Sequence, residues 1–337
     1  MSGEATGGMK AMVLAAGLGE RMRPLTDWLP KPLLPIANCP VMGYVLRHLG
    51  RHGFTEVVAN VHYRPEEIVD HFGGGSQYGV NLAFSYEKEL LGSAGAVSRC
   101  REFLGDDTFL VTGADDLTTM DLTALLAAHR RAGAIASIGL VEVEQTSEYG
   151  IVVTDEVGRI ERFVEKPQGK APSRTANTQI YLFEPEVFDF IPPDQVYDFG
   201  FDAFLAMVEA GVPFYGFQLP GYWRDIGNIG GYLEAQVDVL EGKLCTPIPG
   251  REIAPGIWVG EGCRIDESAG LTAPVLLGDR CRVQAKAELG GGSSVGTEAI
   301  IESGAALWRS VVWERATVPE SANLKDAVVT REGVFGG

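Results

Sequence analysis

The chain is poor in positive charge. Lys and Arg number 28 against 45 Asp and Glu, giving a formal charge of −17 over 337 residues. Without a basic surplus, neither nucleic acid nor an anionic membrane surface is an expected partner. No run of about 18 apolar residues occurs, so no membrane-spanning helix is expected. Cysteine is sparse: Cys39, Cys100, Cys245, Cys263 and Cys281, with no CxxC pair. That excludes a disulfide framework or a zinc ribbon as the organising device and fits a reducing cytoplasm. The opening MSGEATGG has neither a basic nor an apolar stretch, so residues 1–8 read as a loose tail and not as a signal peptide. The five histidines end at His129.

Two textures follow the tail. From residue 9 to 244, short apolar runs alternate with helical spacing. Strands are expected at Met9–Leu14, Glu56–Val61, Val80–Tyr86, Thr108–Thr112 and Ala134–Val143, and helices at Val41–Phe54 and about Asp121–Ala132. Such alternation predicts parallel strands with crossover helices. Strands dominate from Tyr149 to Phe183, which points to a mixed-sheet region. Residues 245–250, CTPIPG, read as a linker. Beyond it Val259, Ile265, Leu271, Leu277, Val283, Leu289, Val295, Ile301 and Leu307 recur every sixth residue. Mostly small residues follow each by four, from Cys263 to Val311. This is the pattern of a parallel β-helix of hexapeptide repeats over 251–337, in which nine hexads make three coils. Cys263 and Cys281, one coil apart, are expected to stack as corner-filling thiols in preference to a redox pair. Residues 251–337 carry 9 basic and 12 acidic side chains, leaving −14 for the first 250. If phosphates are handled there, local cations and metal must do it.

The chemistry-bearing run is LAAGLGERMRPLT, Leu14 to Thr26. Its glycines can turn backbone N–H groups inward as an anion nest, and Arg21 and Arg23 follow directly. Pro30-Lys31-Pro32 fixes a lysine between two rigid residues. The combination resembles the sugar-1-phosphate nucleotidyltransferases, with signature GxGxRxxPLT followed by PKP. Further segments match in order: Leu91-Gly92-Ser93-Ala94-Gly95, Ala114-Asp115, Tyr149-Gly150, Phe163 to Pro167 (FVEKP), and Tyr222 to Gly227 (YWRDIG).

The resemblance implies an α/β fold: a Rossmann-like, GT-A type mixed-sheet nucleotidyltransferase domain followed by a left-handed parallel β-helix. It implies transfer of a nucleotidyl group to a sugar 1-phosphate with release of pyrophosphate. Arg21, Lys31 and Lys166 would be catalytic. Leu14, Ala16, Gly17, Gly19, Glu87, Gly92 and Ser93 would bind the nucleotide. Tyr149, Gly150, Glu165, Asn177 and Gln179 would face the sugar phosphate. Asp115 and Asp225 would hold Mg²⁺, which takes few protein carboxylates and keeps waters or phosphate oxygens. Glu87 and Glu89 could accept from guanine N1–H and N2–H or simply be solvated. General likeness, including the β-helix and the SVVW segment, favours the GDP-mannose pyrophosphorylase (mannose-1-phosphate guanylyltransferase) branch, hence GTP with mannose 1-phosphate. Thymidylyl, uridylyl or adenylyl transfer to another sugar or cyclitol phosphate is the alternative.

Several positions depart from the family pattern. Ala114 replaces glycine, which a negative φ would tolerate. Asp116 adds a carboxylate, read as solvated in preference to an outer metal contact. Gln179 stands where the family has glycine in Asn-x-Gly-x-Tyr; it either points away or reshapes the acceptor pocket. Asn228-Ile229-Gly230 replaces the usual Thr-Pro-Glu at a helix start. A silent regulatory subunit and a hexapeptide acyltransferase are the rival classes. Intact motif residues oppose the first, and a histidine-free β-helix opposes the second. The β-helix is expected to pack on the catalytic domain or a second copy, making a homo-oligomer.

Overall fold

The computed structural model describes residues 7–336, so most of the expected tail at 1–8 lies outside the described residues. Packing divides the chain into two compact units. The first comprises the chain up to Gly19, Thr26–Pro32 and Met42–Trp223. The second comprises Glu20–Leu25, Leu33–Val41 and everything from Arg224 on.

The first unit is built on a nine-stranded mixed sheet. Along its main path the order is Ile160–Glu165, Gly150–Thr154, Thr175–Phe183, Phe109–Gly113, Lys10–Leu14, Glu56–Val61 and Asn81–Tyr86. Ala136–Glu142 pairs with Thr175–Phe183 and carries Phe214–Gln218 alongside. The four strands from Phe109–Gly113 to Asn81–Tyr86 are parallel. Their near-continuous apolar sequences suit burial on both faces, and Met12, Val13, Val57, Leu110 and Val111 are all buried. Lys10–Leu14 is the first strand; the chain adds Glu56–Val61 and Asn81–Tyr86 on one side of it and then crosses to place Phe109–Gly113 on the other. That arrangement is a topological switch point, where open α/β sheets leave a crevice at the carboxyl ends of the strands. The loops after Leu14 and after Gly113 both start there. An aromatic cluster backs the antiparallel side: Phe183 stacks on Phe199 at 5.0 Å and Phe199 on Phe204 at 5.3 Å.

The second unit holds the β-helix, the helix Ile229–Leu240 and the hairpin Pro35–Ile36/Cys39–Pro40. Short parallel strands stack in three sheets, a layout consistent with a left-handed β-helix. Aliphatic residues fill it as the six-residue period predicts. The expected count of three coils is too small. After Leu307 one residue is missing from the period, so Val295 pairs with Val312, Ile301 with Val318 and Leu307 with Leu324. Val311 is therefore not a corner residue, and the stack continues for a fourth coil and ends in the antiparallel strand Val334–Gly336. The six-residue phase could not reveal this, because the shortened coil restarts it out of step.

Corners of the coils adopt left-handed backbone in columns, such as Gly262, Arg280, Glu298 and Arg315. Glu298 accepts from both Arg280 and Arg315, so the column is also a charge ladder. The thiols of Cys263 and Cys281 donate to the carbonyls of Gly278 and Gly296 at 2.9 and 3.0 Å. Burial pushes the Cys281 thiol up to about 12. Both are free thiols.

Helix Ile229–Leu240 starts on Asn228, whose side chain accepts from the Gly231 N–H at 2.8 Å. Gln236 is buried. It donates to the Pro35 carbonyl at 2.6 Å and accepts from Ala37 N–H and Ser294 Oγ. Tyr232 donates to Pro35 and receives the Trp313 indole N–H. Helix, hairpin and β-helix are therefore keyed by one polar network. That is why the packing border lies at 223/224, while the repeat pattern begins only after 245–250.

Candidate nucleotide-transfer site

In the first unit the strand Lys10–Leu14 delivers the chain into the glycine turn. Leu14 is half-buried and Ala16 buried at its end. Asn60 accepts the Ala15 N–H at 2.8 Å and fixes the turn's departure. Gly19 has φ +66°, and a β-carbon there would meet the Thr26 methyl at 2.8 Å. Thr26 Oγ1 in turn donates to the Gly19 carbonyl at 2.9 Å. This explains the glycine and the threonine of the motif together: the turn closes on the threonine. Gly17 faces open space.

On the other side of the switch point the Ala114 N–H donates to the Leu14 carbonyl. Ala114 has no positive φ, so its methyl is tolerated. Lys31 and Asp115 form an ion pair through Asp115 Oδ2, both side chains largely shielded. Asp115 Oδ1 points elsewhere. A β-carbon on Gly113 would lie 2.5 Å from Asp116 Oδ2, 2.9 Å from Asp115 Oδ1 and 3.1 Å from Gln179 Oε1. Three side-chain oxygens thus surround one small cradle. Asp116, read as solvated from the sequence, is only 2% exposed. It opens a separate short strand, Asp116–Thr118, whose burial takes it inside. Gln179 does not point away.

Of the residues expected to face the sugar phosphate, Tyr149, Gly150 and Glu165 lie at the strand pair Gly150–Thr154/Ile160–Glu165, and Asn177 and Gln179 on Thr175–Phe183. The Lys166 N–H donates to the Tyr149 carbonyl, and Lys166 sits at φ +42° with its ammonium half-exposed. The Glu165 carboxylate lies against two glycines: a β-carbon at Gly150 or Gly200 would approach it to 2.7 or 2.6 Å. Burial raises the Glu165 pKa, the Lys166 ammonium at 3.6 Å opposes this, and Asp198 adds to it. Tyr149 meets Trp223 edge-on at 5.5 Å, and the Trp223 indole donates to the Thr178 carbonyl. Asn177 is buried and spends its amide inside the strand, accepting the Gln179 N–H and donating to the Tyr181 hydroxyl.

The LGSAG segment owes its glycines to close packing. A β-carbon at Gly92 or Gly95 would meet the carbonyls of Tyr197 or Gln195 at 2.5 Å. Ser93 donates to Asp198 and accepts the Phe199 N–H. Glu87 is buried with both carboxylate oxygens engaged, Oε1 by the Asn60 amide and Oε2 by the Leu91 N–H. Asn60 and Asp198 were not singled out in the sequence. The signal for Asn60 was a lone amide inside the apolar strand EVVANV; Asp198, 105 residues from Ser93, carried none.

In the second unit, Gly227 of the YWRDIG segment leaves room for two motif residues. A β-carbon there would meet Asp225 Oδ2 at 2.6 Å and the Arg21 guanidinium at 3.1 Å. Arg21 and Asp225 therefore share one glycine surface.

Among the described residues no cluster of three or more His, Cys, Asp or Glu side chains forms a metal cage. The oxygen-only donors around Gly113 nonetheless fit a hard divalent cation that keeps other ligands for water or phosphate. No helix among the described residues is long and apolar enough to cross a membrane.

Comparison with known proteins gives the family. The nucleotidyl transferase family matches residues 10–242. A UTP–glucose-1-phosphate uridylyltransferase of Synechocystis is 40% identical, covering 95% of this chain and 87% of its own. A mannose-1-phosphate guanyltransferase of Schizosaccharomyces pombe is 33% identical over 97% of this chain and 93% of its own. The solved structure of a UDP-glucose pyrophosphorylase complexed with UDP-glucose superposes with a TM-score of 0.59 at 22% identity, covering 67% of this chain and 96% of that one, a likeness of fold. The chain belongs to the nucleotidyl transferase family and is a sugar-1-phosphate nucleotidyltransferase.

Proposed function

We propose that the chain joins UTP to glucose 1-phosphate, forming the nucleoside diphosphate sugar and pyrophosphate. The sequence alone favours GTP with mannose 1-phosphate, and relatives at 31–33% identity support that second reading. Two observations move the preference. The 40% relative carries the uridylyl name. Glu87, one of the two carboxylates offered for guanine, already gives its oxygens to Asn60 and Leu91.

A phosphate oxygen of the sugar 1-phosphate attacks the α-phosphorus. A new P–O bond forms, the bond to the β-phosphate oxygen breaks, and pyrophosphate leaves with the electron pair. The nucleophile is already an anion, so no general base is required; positioning and charge neutralisation must supply the rate. The observation that carries the reading is the Lys31–Asp115 pair at the switch point, beside the Gly17–Gly19 turn. In this reading Leu14, Ala16, Gly17 and Gly19 seat the nucleotide, with Gly92 and Ser93 holding the base-side loop. Lys31 and Arg21 neutralise the triphosphate. Lys166 takes the sugar phosphate, and Glu165, with Tyr149 and Gly150 behind it, takes sugar hydroxyls. Nucleotidyltransferases of this family generally use a divalent metal; Asp115 and Asp225 are assigned to Mg²⁺, which would offset charge on the phosphates.

The half-buried inward residues of the first β-helix coil, Ile257, Val259, Ile265 and Leu271, support association with a second copy. A strictly monomeric mass at high concentration counts against that. The test of function is a grid of UTP, GTP, dTTP and ATP against glucose and mannose 1-phosphates, scored by pyrophosphate. UTP with glucose 1-phosphate should lead; GTP with mannose 1-phosphate leading would install the second reading.

A further inference from the structure

The parallel strands Lys10–Leu14, Glu56–Val61 and Asn81–Tyr86 end side by side, and a buried hydrogen-bonded relay crosses their carboxyl ends. Leu14 lies opposite Asn60, and Val61 opposite Tyr86. Asn60 accepts the Ala15 N–H at 2.8 Å through Oδ1 and donates to Glu87 Oε1 at 2.8 Å through Nδ2. Glu87 Oε2 accepts the Leu91 N–H at 3.1 Å. The Glu87 main chain is clamped as well: its N–H donates to the Val61 carbonyl, and its carbonyl accepts from His62 Nδ1. Asn60 is 4% exposed and Glu87 6%.

The direction of these bonds dictates each residue type. The Leu91 N–H and the Asn60 amide both donate, so the group between them must accept twice. A carboxylate does so, whereas a glutamine amide accepts on one side only. Asn60 must accept on one side and donate on the other, which a carboxylate cannot. A buried carboxylate is costly unless hydrogen-bonded, and a fully satisfied network specifies one geometry. Here that geometry is a spacing. At one end Ala15 leads into the Gly17–Gly19 turn, assigned to the triphosphate. At the other, Leu91 starts the helix Gly92–Arg99 of the LGSAG segment, assigned to the base.

We propose that Asn60 and Glu87 are positioning residues that set the spacing between the phosphate turn and the base-side loop, Glu87 acting through Leu91 and not by touching the base. This rests on the reading of those two segments as the nucleotide site. A nucleotide held at both ends places its α-phosphorus by that spacing, and a misplacement of about 1 Å costs on the order of 10²-fold in rate.

The test exchanges amide and carboxylate. Asn60→Asp sets one carboxylate against another. Glu87→Gln leaves one of the two donors without an acceptor. Both changes together move the negative charge to position 60 and give every donor an acceptor again. Pyrophosphate release by the full chain at saturating sugar 1-phosphate is the readout. Nucleotide kcat/KM should fall roughly 10- to 100-fold in each single variant and return to within about threefold of the parent in the double variant. The loss should be equal for every nucleotide the parent accepts, and the KM for sugar 1-phosphate should hold. Glu87→Asp keeps the charge but is one methylene too short to reach both donors; it should lose nucleotide kcat/KM in the same way, and it carries the test if a single exchange does not fold. A double variant no better than the poorer single one overturns the proposal. So does Glu87→Asp matching the parent, or a Glu87→Gln loss confined to one base, which would make Glu87 a base contact. In each of these cases the parent still makes the nucleoside diphosphate sugar. A parent that releases no pyrophosphate with any nucleotide and sugar phosphate overturns the reading of the nucleotide site itself.

Discussion

Asp115 gives one carboxylate oxygen to the ammonium of Lys31, 84 residues earlier in the chain, and turns the other toward Gly113. The pair couples the proline-bounded lysine to the strand end at the switch point. Both partners are largely shielded, so removing one leaves a poorly compensated charge. Lys31→Ala should lower kcat about 10²–10³-fold, the scale of losing one preorganised electrostatic contact. Its melting temperature should also fall and be partly recovered by a divalent cation, because Asp115 then lacks the lysine. Calorimetric scans with and without Mg²⁺ measure this; a variant melting like the parent under both conditions would contradict it.

Backbone strain at Gln179 predicts a difference between two truncations. Gln179→Gly and Gln179→Ala both delete the amide, but only glycine is at ease at φ +58°. The glycine variant should be about 1 kcal/mol more stable than the alanine variant in urea titrations. The acceptor-pocket expectation adds that Gln179→Gly improves turnover of plain hexose 1-phosphates; equal turnover by variant and parent on every hexose phosphate would remove that expectation.

Acid stability should be governed in part by His48. Its pKa is depressed to about 4, chiefly by burial, then by neighbouring His52, against the opposing pull of the Met120 carbonyl. The unfolded chain protonates this group near 6.5, so below that pH the unfolded state binds the proton more readily. Stability is complete above pH 6.5 and declines toward pH 4, by up to about 3 kcal/mol from this residue. His52, His71 and His129 shift the same way. Urea midpoints at pH 7 and pH 4.5 should differ less in His48→Gln than in the parent.

The β-helix thiols should be inert. Cys281 is fully buried with its thiol pushed up to about 12, whereas Cys245 is exposed. A thiol reagent at pH 8 should label Cys245 in the native chain and reach Cys281 only after denaturation. Rapid native labelling at Cys281 would show that the coil opens.

Much of this architecture was legible in sequence because its signals are local. Apolar runs marked the parallel strands, and a six-residue period marked the coils. Gly19, Thr26, Gly92 and Gly95 appeared as motif letters, and the structure supplies their reasons: a left-handed turn and close backbone approach. What escaped depends on contacts distant in sequence. Nothing local tells that Asp198 caps the loop held by Ser93, or that Asn60 and Glu87 brace each other. Gln179 lies in a strand whose alternation conceals a bulge, so its direction could not be read from period two. Asp116 follows a turn-like Gly-Ala-Asp and looked solvated; its strand buries it. A single missing residue after Leu307 hid the last coil.

The central claim is that Lys31 and the Asp115 carboxylate serve capture of an α-phosphorus by a sugar 1-phosphate. Pyrophosphate release by the purified chain, measured with UTP and glucose 1-phosphate over a range of Mg²⁺ and repeated with Asp115→Asn, tests it most directly. The account predicts stoichiometric pyrophosphate and nucleoside diphosphate sugar, dependence on the cation, and loss of both products in the variant. Undiminished turnover by Asp115→Asn, or no pyrophosphate from the parent with any nucleotide and sugar phosphate pair, would contradict it.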